Sequence, residues 1–125
     1  MNAHLKAHRT YGQVNQAIRS ERSIELELFA RVTKQMSQYC GSRGRCDADL
    51  ASILHENRML WSTLATAVAD PENLLDQQLR AQIFYLAEFT DQHTRKVLRG
   101  DASVDALRDI NFSIMKGLQG EAKAA

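Results

Sequence analysis

Residues 47–68 constrain the fold more than any other stretch of the chain. Their apolar side chains recur every three or four residues, as on one face of an α-helix. They are Leu50, Ile53, Leu54, Leu60, Trp61, Leu64 and Val68. Asp47 can cap the first turn by accepting a bond from a backbone N–H, and the residue before Pro71 is driven out of the helical region. The stretch is therefore predicted to be one amphipathic helix.

Three further stretches have the same spacing. One begins at Ser20 and stops at Gly41, with a stripe made of Ile24, Leu28, Val32 and Met36 beside Phe29 and Tyr39. Another covers residues 75–98 and is closed by Gly100; its face is marked by Leu79, Ile83, Leu86, Thr90, His93 and Val97. The last begins at Ser103, and its inward residues are Val104, Leu107, Ile110, Ile114, Met115 and Leu118. Gly117 and Gly120 are expected to weaken its end, and residues 121–125 to form a frayed tail.

These stretches predict an all-α fold. Residues 1–20 carry three basic side chains and no acidic one, with Val14, Ala17 and Ile18 on one face; they are either a weakly docked helix or an arm that orders on a partner. The expected architecture is an antiparallel helical bundle of four to five helices, because short loops join neighbouring helices in opposite directions. A chain of 125 residues is expected to form a single domain.

Composition excludes several classes of protein. A formal net charge of +1 gives no broad positive surface for nucleic acid. No run of about 18 apolar residues is present, so no membrane span is predicted. Residues 1–10 lack the apolar core of a signal peptide. A cytoplasmic protein is expected, in which Cys40 and Cys46 are free thiols, with a short-loop disulfide as the alternative in an oxidising compartment.

The sequence contains no catalytic or metal-binding motif. Its carboxylates are scattered over polar helix faces, as on a solvated surface. His4 and His8 are four residues apart but have no third ligand nearby. His93 lies on an inward stripe, where a hydrogen bond to a carbonyl or hydroxyl explains it better than a role as general base. We therefore expect no enzyme, no cofactor and no metal.

Asn57, Asn111 and Trp61 lie on apolar stripes, and each can have a role either in the core or in binding a partner. Asn57 and Asn111 either satisfy each other or a loop carbonyl in the core, or line a groove and bond a partner's backbone. Trp61 is either core or an interface anchor. Because all three have apolar neighbours, the core reading is favoured.

An ordered set of residues along the chain resembles one protein family. Its first part is Asn57, Arg58, Leu60, Trp61 and Leu64, followed by Asn73-Leu74, Leu79-Arg80-Ala81, Ile83 and Leu86. Its second part is His93-Thr94, Gly100, Leu107, Ile110-Asn111, Ile114-Met115 and Gly117-Leu118, and Ser20, Arg22 and Glu25 fit the opening. The set resembles the flagellar biosynthesis regulator FlaF family. The chain departs from it at Leu75 and Glu21, where the family often has a first-turn proline.

The resemblance implies a small cytoplasmic helical protein that binds flagellin, acts as its secretion chaperone and works beside an FlbT-type regulator. The predicted third stretch is apolar over a wider surface than one neighbouring helix needs, because Phe84, Tyr85 and Phe89 extend it. We expect this face to border a groove for an amphipathic flagellin helix. The predicted partner-binding residues are Phe84, Tyr85, Phe89, Arg80, Arg58 and Trp61; Asn57, Asn111 and His93 are the predicted polar core.

Two other functions compete with this one: a regulator of gene expression and an enzyme. A transcriptional or post-transcriptional regulator would contact nucleic acid through Arg43, Arg45 and the basic N-terminal residues, or contact a second regulator. The near-neutral charge and the lack of a recognition helix count against nucleic acid. An enzyme would need a deep pocket with a titratable pair near His93 or His55.

Overall fold

A computed structural model describes residues 26–41 and 46–124, with side chains up to residue 117 in the last helix. Four helices occupy these residues: α1 (26–37), α2 (Ala48–Ala69), α3 (Gln77–Leu98) and α4 (Asp105–Ala124). The described residues contain no strand. The all-α class is thereby confirmed. The prediction of a helix or arm over residues 1–20, the Ser20 cap and the fifth helix lie outside the described residues.

The ends of α2 follow from its flanking aspartates. An Asp47 carboxylate oxygen accepts a bond of 2.7 Å from the Leu50 N–H, which satisfies one of the orphan donors of the first turn. Asp70 has extended backbone angles, as expected before Pro71. Its carboxylate then accepts the Glu72 N–H at 3.0 Å and begins the turn towards α3.

Helix α3 begins at Gln77, two residues later than predicted. The Asn73 side-chain oxygen accepts the Leu75 N–H at 3.0 Å, which holds this residue in a turn that competes with the helix. At the other end Gly100 has φ +79°. The Asp101 N–H donates to the Lys96 carbonyl at 2.8 Å, and the Gly100 N–H donates to the Val97 carbonyl at 3.0 Å. This pair of bonds is a Schellman motif, which explains the glycine.

A carboxylate joins the end of α1 to the start of α4. Helix α1 ends four residues before the predicted stop at Gly41, because the N–H groups of residues 38–40 bond to carbonyls three residues back and form turns. Gly41 has φ +82°, and its N–H donates to an Asp105 carboxylate oxygen at 3.0 Å. The Asp105 N–H in turn donates to the Ser103 hydroxyl at 3.1 Å. The bond from the Gly41 N–H, followed by the Ser103 side chain, lowers the pKa of Asp105.

The end of α4 differs from the prediction. The helix continues through both glycines to Ala124, and the expected frayed tail is helical up to that residue. Gly117 lies against α3: a Cβ at this position would be 3.6 Å from the Leu79 Cδ1 atom, an ordinary contact distance. Contact with α3 therefore extends to Gly117, where sequence propensity alone predicts weakening.

Along α3, the residues that contact α2 and α4 follow one another in the opposite order to their partners on those helices. Between α2 and α3, the pairs are Arg58 with Asp91 and Val68 with Arg80. On the other side of α3, His93 pairs with Ser103, which lies just before α4, and Leu79 lies close to Gly117 of α4. Helix α1 contacts α2 through Phe29 and Trp61, and α4 through Thr33 and Asn111.

The core consists of two apolar clusters separated by buried polar residues. One cluster contains Val32, Met36, Leu50, Leu54, Val97, Val104 and Leu107. The other contains Phe29, Trp61, Leu64, Val68, Ile83 and Ile114. Asn57, Thr90, Thr94 and Asn111 lie between the clusters along α2, α3 and α4. With Thr33 of α1, whose hydroxyl accepts from Asn111, they form what we call the polar layer; all five are at most 1% exposed. Every helix contributes at least one residue to this layer.

Candidate partner-binding site

The centre of the polar layer is Asn111. Its side-chain oxygen accepts the Trp61 indole N–H at 2.8 Å. Its amide nitrogen donates to the Asn57 side-chain oxygen at 2.8 Å and to the Thr33 hydroxyl at 3.2 Å. One side chain thus joins α4 to the two helices before α3. Both asparagines are fully buried, so they hold the core together and are out of reach of a partner.

Trp61 belongs to the core and not to an exposed contact surface. Only 2% of it is exposed, and its ring meets Phe29 edge to face, with centroids 5.7 Å apart. A partner can therefore contact Trp61 only through the small part of its ring that is exposed. The ring lines part of a groove between α2 and α3, and its exposure to solvent is minimal.

This groove, which we call the α2/α3 groove, has a volume of about 540 Å³ and is open to solvent. Its α2 wall is formed by Arg58, Trp61, Ser62 and Ala65. Its α3 wall contains Phe84, Ala87, Glu88, Thr90, Asp91, Gln92 and Arg95. Apolar and small residues occupy one end and charged residues the other. The structure thus brings three of the predicted partner-binding residues together here: Phe84, Arg58 and Trp61.

The charged end of the α2/α3 groove is organised around Asp91. One of its carboxylate oxygens is 2.6 Å from Arg58 Nη2, and the other is 3.0 Å from Arg95 Nη2. All three side chains are more than a third exposed, so the pairs contribute little to stability. The ion pairs with Asp91 nevertheless hold the guanidinium groups of Arg58 and Arg95 at the rim of the groove.

The three aromatic residues of α3 do not form one surface. Phe84, Tyr85 and Phe89 are 47%, 68% and 40% exposed. Phe84 and Phe89 are five residues apart, which places them about 140° apart around a helix. Only Phe84 lines the α2/α3 groove. Phe89 instead stacks on His93, with ring centroids 5.6 Å apart.

His93 is half-buried at the junction of α3 and α4. Its Nε2 atom is 2.9 Å from the Ser103 carbonyl oxygen. Because a carbonyl only accepts hydrogen bonds, Nε2 carries the proton and donates. The histidine therefore holds the α3–α4 connection. His55 is exposed on α2 and lines a second, smaller groove of about 260 Å³ between α1 and α2.

Arg80, a predicted partner-binding residue, closes the C-terminal end of α2. Its Nε and Nη2 atoms donate to the Val68 carbonyl at 3.0 and 2.9 Å, and Nη2 also donates to the Asp70 carbonyl at 2.7 Å. The Val68 carbonyl is one of the last four of the helix, which have no partner within it. The Asp70 carbonyl also accepts the Asn73 N–H at 3.0 Å. Arg80 lies outside the residues that line the α2/α3 groove.

We expect Arg80→Ala to lower the free energy of unfolding by about 1–3 kcal/mol, because the Val68 carbonyl loses both of its hydrogen bonds. Arg80→Lys should recover only part, since an ammonium is a single point donor without the guanidinium's fork. Urea denaturation measures both. Arg99→Ala is the control, because Arg99 contacts the exposed Asp101; about 0.5 kcal/mol or less is expected there. Equal losses at the two positions would show that Arg80 is not a cap.

Both cysteines are free thiols and half-buried. Burial raises the pKa of Cys40, and a hydrogen bond with Asp105 raises it further. Burial also raises the pKa of Cys46, with a smaller effect of the Asp47 charge. The raised pKa favours the protonated thiol in the folded chain, so stability falls as the pH rises past the ordinary pKa of a thiol.

A thiol reagent should therefore modify the folded chain more slowly than the urea-unfolded chain near about pH 8, because the thiolate is the reactive form. The difference should shrink as the pH rises. Absorbance from a disulfide reagent follows both rates. Equal rates in the folded and unfolded chain at this pH would contradict the raised pKa values.

The remaining sequence hypotheses concern the basic loop, the histidine pair, metal binding and membrane spans. Arg43, Arg45, His4 and His8 lie outside the described residues. The part of the chain that the structure describes contains no group of three or more metal-ligating side chains. Within that part, no helix is long and apolar enough to cross a membrane.

Comparison with protein families identifies a flagellar family. A sequence model of the family described as "Flagellar protein FlaF" matches residues 7–118. The matched region contains all of α1 to α3, both residues of the asparagine pair and the residues of the α2/α3 groove. No curated protein and no solved structure matches the chain.

Proposed function

Because the chain belongs to the FlaF family of flagellar proteins, we propose that it is a flagellin-binding chaperone and regulator of flagellum assembly. In this proposal it binds monomeric flagellin in the cytoplasm and shelters an amphipathic helix of it from premature association. An FlbT-type regulator is a second partner. The protein needs surfaces for this role and no catalytic group.

The observation that carries the proposal is the α2/α3 groove with Phe84 at its apolar end. A helix that binds in a groove buries its own apolar stripe against apolar side chains. Phe84 is 47% exposed, and Ala65 and Ala87 leave room beside it for side chains of a foreign helix. We infer that the four helices form an antiparallel bundle, since the contacts of α3 with α2 and with α4 run in opposite order, and that this bundle holds the walls of the groove apart.

Phe84→Ser tests the proposal. We expect the variant to remain folded, with a loss of about 1 kcal/mol or less, because the side chain is half-exposed. Binding of monomeric flagellin should weaken by more than about tenfold, since aromatic residues in grooves are frequent hot spots. Phe112→Ser is the matched control: Phe112 is 49% exposed, lies on α4 and does not line the groove.

Calorimetric titration with flagellin encoded by the same genome gives the affinities, and circular dichroism verifies the fold. Wild-type protein that does not bind flagellin would refute the proposed function. Binding that weakens equally in the Phe84 and Phe112 variants, or in neither, would refute the groove as the binding site. Tyr85→Ser and Phe89→Ser then identify the part of α3 that does bind.

A further inference from the structure

The charges along the α3 wall of the α2/α3 groove are unevenly placed. Phe84, Glu88, Asp91 and Arg95 follow one another at intervals of four, three and four residues, so they form one row along the helix. The row is about 16 Å long, or three helical turns. It has an apolar end at Phe84 and a cationic end at Arg95.

The cationic end carries an excess positive charge. Two guanidinium groups, from Arg58 and Arg95, share the single carboxylate of Asp91. Within the described residues neither arginine contacts a second carboxylate. The three side chains therefore have a combined charge of +1, and they are partly exposed at the rim where an incoming side chain can reach them.

Glu88 provides the opposite charge one turn nearer to Phe84. It is exposed, lines the groove and has no ion pair among the described residues. The charges of the groove therefore cancel in total but form a dipole along it. Glu88 and Arg95 are seven residues apart, about 10 Å along the helix axis.

We propose that the α2/α3 groove selects a partner helix that carries an acidic side chain opposite Arg58 and Arg95 and a basic side chain opposite Glu88. The two partner residues lie about two turns apart on the same flank of that helix, and an apolar residue follows the basic one towards Phe84. This inference rests on the proposed function and specifies which helix of flagellin fits and in which direction. Charge complementarity of this kind sets orientation and specificity more than total affinity.

Charge reversals test the inference on the full chain with monomeric flagellin as the probe. Arg95→Glu and Glu88→Lys should each weaken binding by about fivefold, because attraction at a partly exposed site becomes repulsion. Lys96→Glu and Glu72→Lys are matched controls: both residues are exposed and neither lines the groove. The controls should bind like the wild type.

Salt and cross-linking provide readouts that a purely structural effect would not change. Wild-type affinity should fall between about 50 and about 300 mM NaCl, and less steeply for Arg95→Glu, because the attraction is screened. A photoreactive residue introduced at Gln92, between the two charges, should cross-link a flagellin segment with acidic and basic residues about two turns apart.

The two proposals fail differently. If wild-type protein does not bind flagellin, the proposed function is wrong and the inference falls with it. If Phe84→Ser weakens binding but Arg95→Glu behaves like Lys96→Glu, the groove is the site and the charge selection is wrong. A cross-linked segment without that pair of charges also overturns the inference.

Discussion

Asn111→Ala should lower the free energy of unfolding by about 3–5 kcal/mol, which is a large part of the stability of a small domain. The substitution removes the acceptor of the Trp61 indole N–H and the donor to Asn57 and Thr33. All these groups are buried, so water cannot replace the lost partners without opening the core. Urea denaturation followed by far-ultraviolet circular dichroism measures the loss.

Asn57→Ala is the matched control. Asn57 is equally buried, but it has a single hydrogen-bond partner, and its amide nitrogen has no partner among the described residues. Its removal should therefore cost less than the removal of Asn111, by about 1 kcal/mol or more. An equal or larger loss at Asn57 would mean that Asn111 is not the centre of the polar layer.

Trp61→Ala should have a similarly large effect, about 3–5 kcal/mol, because the ring fills the core between α1, α2 and α4. Trp61→Phe separates the ring from its N–H: the phenyl group keeps much of the packing but leaves the Asn111 oxygen without a donor. We expect about 1–3 kcal/mol for that variant. Circular dichroism is the suitable probe, since Trp61 is the sole tryptophan and its fluorescence is lost in both variants.

The same variants distinguish the two interpretations of Trp61. If the ring acts as core, Trp61→Phe should bind flagellin like the wild type under conditions where it remains folded. Undiminished stability together with weaker binding would instead make the ring a partner contact. Because Trp61 and Asn111 share a hydrogen bond, the effects of the two substitutions should also be less than additive in the double variant.

The sequence predicts local features of this fold well. Asp47 and Pro71 set the ends of α2 through interactions that span at most four residues. Gly100 ends α3 for a similarly local reason, its positive φ angle, whereas α1 ends four residues before the predicted stop at Gly41. The start of α3 is less predictable, because the Asn73 side chain can cap a turn or leave the chain free to enter the helix, and the local sequence is compatible with both.

Features that depend on distant partners could not be derived from the sequence. Arg80 is twelve residues from the carbonyl it binds, and nothing in its local sequence distinguishes it from a solvated arginine. From the sequence alone, the aromatic residues of α3 are predicted to form a single wide face. Only the position of α2 shows that Phe84 borders the α2/α3 groove, while Phe89 packs on His93.

The polar layer also restricts which foreign helices can enter the bundle. A helix with an uninterrupted leucine stripe, placed where α1 lies, would present hydrocarbon to the Asn111 amide in place of the Thr33 hydroxyl. The resulting unpaired donor penalises such an exchange. Replacement of α1 by such a helix is therefore disfavoured. The buried hydrogen bonds of Asn111 thus make the position of α1 selective for a helix that carries a hydroxyl at the place of Thr33.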